Sequence, residues 1–303
     1  MSPRYALVLT SSPSASALTP RAVDRAIRAI PSAMRLANAW LAAGGAWQAL
    51  FTSTRASDAD RVRSAARAAL AEVPVDVNVV ADDPWRRKKL LVADMESTII
   101  EQECLDELAD YVGLRNRISE ITARAMRGEI AFEAALAERV SLLRGLDASI
   151  LQKLYDERIT LMPGARELVA TMRQNGAHCA LVSGGFTFFT ERIASCLGFD
   201  THQANTLEIA DGRLSGSVSP PILGREAKLT ALERLRSALN LPPEATLAVG
   251  DGANDLDMLR AAGLGVAFRA KPIVAAEAKA AVRHGDLTAL LYLQGYANEE
   301  IVR

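Results

Sequence analysis

The chain has 303 residues, half of them apolar, with 35 basic side chains against 36 acidic ones. That length and apolar content suit two domains with sizeable cores. The near-cancelling charge, without a long block of either sign, excludes nucleic acid and an anionic membrane surface as expected partners.

The three cysteines, Cys104, Cys179 and Cys196, form no C-x-x-C pair and are odd in number, against a disulfide framework or a thiolate metal site. His178, His202 and His284 are scattered, so any metal is expected on oxygen ligands. No run reaches the ~18 to 20 apolar residues of a bilayer span. The early "YALVL" is too short for a signal-peptide core, and the expected location is cytoplasmic.

In chain order, residues 5–10 read as a buried strand, and "PRAVDRAIRAI" has helical spacing with Pro20 in its first turn. Two apolar segments flank the turn signal Gly44-Gly45, then come the helical "DADRVRSAARAALAEV" and the strand-like "VDVNVV". Strand, helix, two strands, helix, strand is the ferredoxin-like α+β pattern. "DDPWRRKK" marks a boundary, which divides the chain into 1–84 and 85–303.

From residue 88, "KKLLVAD", "HCALVSG", "ATLAVGD" and "LGVAF" read as near-continuous apolar strands alternating with helices, the mark of an α/β parallel sheet covered on both faces. Ligands of such sheets bind beyond the carboxyl ends of the strands. Residues 99–177 hold too many helical segments for one crossover, so an inserted helical cap is expected at about 100–165. Residues 205–219 read as a hairpin around Asp211-Gly212.

The strand ends carry the chemistry. The first delivers Asp94 and Glu96, which strand alternation should turn to one face. The second delivers Ser183-Gly184-Gly185 and the third "GDGANDLD", with Lys228 on the helical segment between these two. One aspartate at a strand end more often caps the next helix, glycines after a strand more often make a turn, and most lysines are solvated. Together, however, Asp94, Glu96, Asp251 and Asp255 are costly to bury without a cation. An oxygen-bound divalent ion, with Mg²⁺ expected, removes that cost. A cation, a hydroxyl, glycine N–H groups and a lysine suit a phosphoryl group, transferred in line to a carboxylate nucleophile.

"DMEST", "SGG", a later lysine and "GDGAND" resemble the haloacid dehalogenase superfamily. "ADMESTIIEQECLDELA", "MRGEIAFEAALAERVSLLRGL", "VSGGFTFF" and "VGDGANDLDML" are similar to its phosphoserine phosphatase family over roughly residues 88–295. The resemblance implies a HAD-like Rossmannoid sheet with a helical cap, and hydrolysis of O-phospho-L-serine at the end of serine biosynthesis. It makes Asp94 the nucleophile and gives Mg²⁺ to Asp94, the Glu96 carbonyl and Asp251, with Asp255 in support. It places Ser183, Gly184 and Lys228 on the phosphoryl oxygens, with Asn254 nearby. In the cap, Glu103 would meet the substrate's ammonium and Arg139 its carboxylate, while Met126 and Phe132 form an apolar wall. By spacing alone, these last two are ordinary helix core.

The sequence departs from the family at Glu96, where aspartate is usual as general acid and base. Glutamate keeps the carboxyl but moves it by roughly one C–C bond, about 1.5 Å. The N-terminal segment resembles ACT-type modules without a clear glycine in its first strand-to-helix loop. Dimerisation and packing alone together outweigh amino-acid sensing as its role. Two alternatives remain beside hydrolysis: phosphoryl transfer to a small amino alcohol such as homoserine, and a phospho-amino-acid sensor without turnover.

Overall fold

The computed structural model describes residues 2–12, 17–126 and 129–303. The N-terminal elements run β1 (Arg4–Ser11), α1 (Pro20–Ile27), β2 (Arg35–Ala42), β3 (Ala46–Thr52), α2 (Ala56–Ala69) and β4 (Val75–Ala81). Thr19 starts α1 by accepting the Ala22 N–H, and Pro20 occupies the first helical position, where its missing N–H costs nothing. The strands form an antiparallel sheet in the order β2-β3-β1-β4. Alternation sends Leu7, Leu9, Trp47 and Phe51 into one core with Ala22, Ala26, Val62 and Ala66 of the two helices, while Ala6, Val8, Leu41 and Val80 join the larger core of the chain.

The remaining elements begin with β5 (Leu90–Ala93), α3 (Cys104–Tyr111), α4 (Arg115–Met126), α5 (Phe132–Ser141), α6 (Ser149–Arg158) and α7 (Ala165–Gln174). Next come β6 (His178–Phe186), α8 (Thr187–Leu197), β7 (Thr201–Ala210), β8 (Arg213–Ser219) and α9 (Arg225–Ala238). The chain continues through β9 (Thr246–Gly250), α10 (Leu256–Ala261), β10 (Leu264–Phe268), α11 (Pro272–Glu277), β11 (Ala280–Val282) and α12 (Ala289–Leu293). The seven-stranded sheet has the order β11-β10-β9-β5-β6-β7-β8, parallel except for the β7–β8 hairpin. After β5 the chain builds outward through β6, β7 and β8, then returns to β9 on the other flank, so β5 lies at the reversal where open α/β sheets take ligands.

Every residue of β5 is buried, with Leu91 and Ala93 in one core and Leu90 and Val92 in the other. Its near-continuous apolar run therefore has a layer on each face. The hairpin turns at Asp211 and Gly212, both with positive φ, as a tight two-residue connection requires.

Two arrangements differ from the sequence expectation. The strand stops at Ala93; Asp94 and Glu96 lie beyond it, on either side of fully buried Met95, and Ser97 is left-handed at φ 54°. Strand alternation is thus not what orients the two carboxylates. In addition, β7 begins four residues before the expected hairpin and first pairs parallel with β6, while β11 is a three-residue strand, "AAV", too short and too poor in β-branched residues to stand out.

Two seams fix neighbouring parts of the chain. The 142–148 connection after α5 pairs with the hairpin: Gly145 N donates to Leu214 O, Leu214 N to Leu146 O and Ala148 N to Gly212 O. Near β11, Asn78 exchanges two hydrogen bonds of 2.9 Å with the Ala281 backbone, and the buried Asp76 carboxylate accepts from the N–H groups of Arg283, His284 and Gly285. Among the described residues, no helix is long and apolar enough to cross a membrane.

Candidate active site

The ends of β5, β6 and β9 are neighbours in the sheet, and α9 brings Lys228 to them. Lys228 Nζ lies 2.6 Å from Asp94 Oδ1 and 2.6 Å from Asp255 Oδ1, all three groups being buried. Asp255 also accepts the Gly252 N–H, which folds the "GDGAND" turn over itself. At Gly250 an added Cβ would run into the Asp255 side chain, so that glycine lets the carboxylate tuck beneath the end of β9.

Carboxylate oxygens of Asp94, Asp251 and Asp255 lie within 4.8 Å of one another. Burial pushes the Asp94 carboxyl well above its ordinary range, against the opposing pull of Lys228, while Asp255 and Asp251 push it further up. Asp251 is raised to about 6, first by burial and then by Asp255 and Glu103. Burial disfavours the Lys228 charge, but Asp94 and Asp255 outweigh it and hold the ammonium charged. Three close carboxyl groups around one ammonium leave room for more positive charge. An all-oxygen donor set of this kind fits a hard divalent cation.

Ser183 is buried at the end of β6, and its Oγ accepts the Gly185 N–H. Gly184 lies beneath the Phe132 ring; an added Cβ there would sit 3.5 Å from Phe132 Cζ. The first turn of α5 thus reaches the strand end directly. The Gly184 carbonyl is held from the other side by Asn205 Nδ2 at 2.8 Å. Asn205 also exchanges hydrogen bonds with the Leu223 backbone. A single asparagine inside β7 carries no pattern in the sequence, and its part in shaping the glycine segment is visible only in the fold.

Glu96 is half-buried and turned to the start of α3, where its Oε1 accepts the Cys104 N–H at 2.8 Å. Burial, with Glu103 adding, raises its carboxyl to about 7, against the lowering pull of the Cys104 N–H and Lys228. Glu103 is exposed at the rim and accepts a 2.6 Å hydrogen bond from Ser97 Oγ. Partial desolvation nevertheless raises it. Arg139 on α5 is tethered by its own helix, with Nε donating to Ala135 O, and by Nη1 to Thr122 Oγ1. Burial lowers its pKa, while Asp106, Glu96 and Glu103 favour its charge. Among the described residues it makes no ion pair.

Two residues are not drawn into this cluster. Asn254 is exposed, its Oδ1 crowded over Gly252. Met126 ends α4, and its side chain lies outside the described residues.

A family model described as "haloacid dehalogenase-like hydrolase" matches residues 91–260. The chain belongs to that family. A relative named phosphoserine phosphatase from Idiomarina loihiensis is 45% identical over 202 residues, covering 67% of this chain and 91% of the relative. Another of that name, from Streptomyces coelicolor, is 46% identical over 245 residues, 80% of this chain. The chain spans only 60% of that relative's length. A crystal structure described as a probable phosphoserine phosphatase from Vibrio cholerae, unliganded, superposes with a TM-score of 0.77 at 34% identity, covering 98% of this chain and 88% of the other.

Proposed function

We propose that the chain is an Mg²⁺-dependent phosphatase that hydrolyses O-phospho-L-serine through an aspartyl-phosphate on Asp94. The observation that carries this reading is Lys228 clamped between Asp94 and Asp255, with Phe132 over the neighbouring Gly184 and Arg139 within electrostatic reach of Glu96 and Glu103. The relatives named phosphoserine phosphatase support the substrate.

In the first half-reaction Asp94 attacks phosphorus and the bond to the seryl oxygen breaks, while Glu96 gives that oxygen its proton. In the second, water attacks the same phosphorus, its proton passes to Glu96, and the Asp94–phosphorus bond breaks. A carboxyl near 7 is suited to both transfers at neutral pH. Lys228, Ser183 and the Gly184 backbone hold the phosphoryl oxygens, and Asn254 reaches them once substrate is bound. Glu103 takes the substrate's ammonium and Arg139 its carboxylate, for which a guanidinium's forked donors are suited. Magnesium, held by Asp94, Asp251 and the Glu96 carbonyl with Asp255 in support, would offset the charge of the phosphoryl group.

Residues 1–84 are proposed as an accessory unit, dimerising or simply packing, and residues of about 100–165 as a cap over the site. The proposed location is cytoplasmic, where serine is made. The deciding measurement is phosphate release from a panel of phosphorylated metabolites, with and without Mg²⁺ and with amino-alcohol acceptors present. Selective, Mg²⁺-dependent release from phosphoserine, absent in Asp94→Asn, is the expected result. Flat activity across the panel overturns the substrate, a phosphorylated acceptor indicates transfer instead, and one phosphate per chain without steady state indicates a sensor.

A further inference from the structure

Glu96 is one methylene longer than the aspartate usual at its position, and two neighbouring groups take up the difference. A Cβ built on Gly185 would lie 2.8 Å from Glu96 Oε2 and 3.0 Å from both Cδ and Oε1, so its three nearest neighbours are all atoms of that carboxyl. Gly185 does not have a left-handed backbone, so its conformation does not demand glycine. The space a side chain would fill at 185 is occupied by the end of Glu96. On the other side, Oε1 accepts the Cys104 N–H at the first residue of α3, a group with no partner inside the helix.

We propose that Gly185 and the Cys104 amide are positioning groups matched to glutamate at 96: one leaves the room for its carboxyl, the other fixes where in that room it sits. The inference rests on the acid/base reading of Glu96. It says that glutamate at 96 requires glycine at 185, whereas aspartate, shorter by about 1.5 Å, does not press on that space. Because α3 opens the proposed cap, the Cys104 contact also ties the orientation of the proton donor to the cap's entry helix.

The test is a double-mutant cycle on kcat and KM for O-phosphoserine, using Gly185→Ala, Glu96→Asp and the two combined. Gly185→Ala displaces only the end of a flexible side chain, so thermal unfolding should be unchanged. Its kcat should fall roughly tenfold to a hundredfold, the scale of an ångström's misplacement, with KM within about twofold. In the Glu96→Asp background the same alanine should cost less than about threefold in kcat. Cys104→Pro offers a second arm. Proline suits the first helical position and removes the amide donor, and Glu103 at φ −95° and ψ 104° has the extended backbone that precedes proline. Because proline also replaces the buried thiol, which touches Glu96 as well, Cys104→Ala is its control. The proline variant should also lower kcat more than it changes KM. Equal loss from Gly185→Ala in both backgrounds, or no loss at all while Glu96→Gln is inactive, overturns this inference and leaves the acid/base reading intact. Full turnover by Glu96→Gln removes both.

Discussion

Lys228 stands between Asp94 and Asp255, 2.6 Å from an oxygen of each, with all three groups buried. Removing one partner of a buried charge cluster strands the others. Lys228→Met should therefore lower stability by about 3 kcal/mol in urea unfolding without divalent cation, and added Mg²⁺ should restore part of the loss. Steady-state turnover should fall at least ~100-fold. An unchanged unfolding midpoint would mean that the ammonium does not hold the cluster together.

Asp251 at about 6 and Asp94 pushed well above the ordinary carboxylate range by burial make the metal-free protein hold more protons than its unfolded chain. Stability without metal should then fall as pH rises from about 4 to 6. A divalent cation replaces those protons, so its affinity should rise over the same interval. Thermal unfolding between pH 4.5 and 7.5, with and without Mg²⁺, should show a cation-induced rise in Tm that grows with pH. A rise independent of pH would place the cation elsewhere.

Arg139 is held by a carbonyl and a hydroxyl but has no carboxylate partner among the described residues, leaving its charge available to a substrate. Arg139→Ala should raise KM for O-phosphoserine by at least ~10-fold while kcat changes little, the pattern of lost uniform binding. Hydrolysis of O-phosphoethanolamine, which lacks the carboxylate, should be nearly unaffected. Equal losses on both substrates would assign Arg139 to the cap's structure instead.

Asp76 gathers three successive backbone N–H groups from the segment after β11. Asp76→Ala leaves those donors without their acceptor and should cost roughly 2–4 kcal/mol in urea unfolding. Asp76→Asn, which keeps one acceptor oxygen, should cost less. Loss of a single cooperative transition would show that the N-terminal sheet can detach from the rest.

The sequence made both sheets readable because their strands carry strong patterns, alternating in β4 and continuously apolar in β1, β5, β6 and β9. Asp94, Ser183 and Asp255 stood out because acidic and glycine-rich strand ends are uncommon in a buried setting, whereas Lys228, on a helix, stood out only in their company. Strand periodicity misjudged the few residues after Ala93, where Met95 turns inward and Ser97 takes a left-handed conformation to start the exit. The amide of Cys104 and the acceptor role of Asp76 left no trace, since backbone donors have no side-chain signature. Asn205 was invisible for a related reason: its partners, Gly184 and Leu223, are distant in sequence and are recognised only through their peptide groups.

The seam between the 142–148 connection and the β7–β8 hairpin restricts how the proposed cap can move over the site. A roof sewn to its wall along one edge cannot lift off as a plate. The α5 turn carrying Phe132 lies upstream of that stitching, while the α3 end is fastened to Glu96. Under the proposed function, the passage of substrate and product is expected to involve movement of α4 and α5 between these two attachments, the hairpin staying with the sheet.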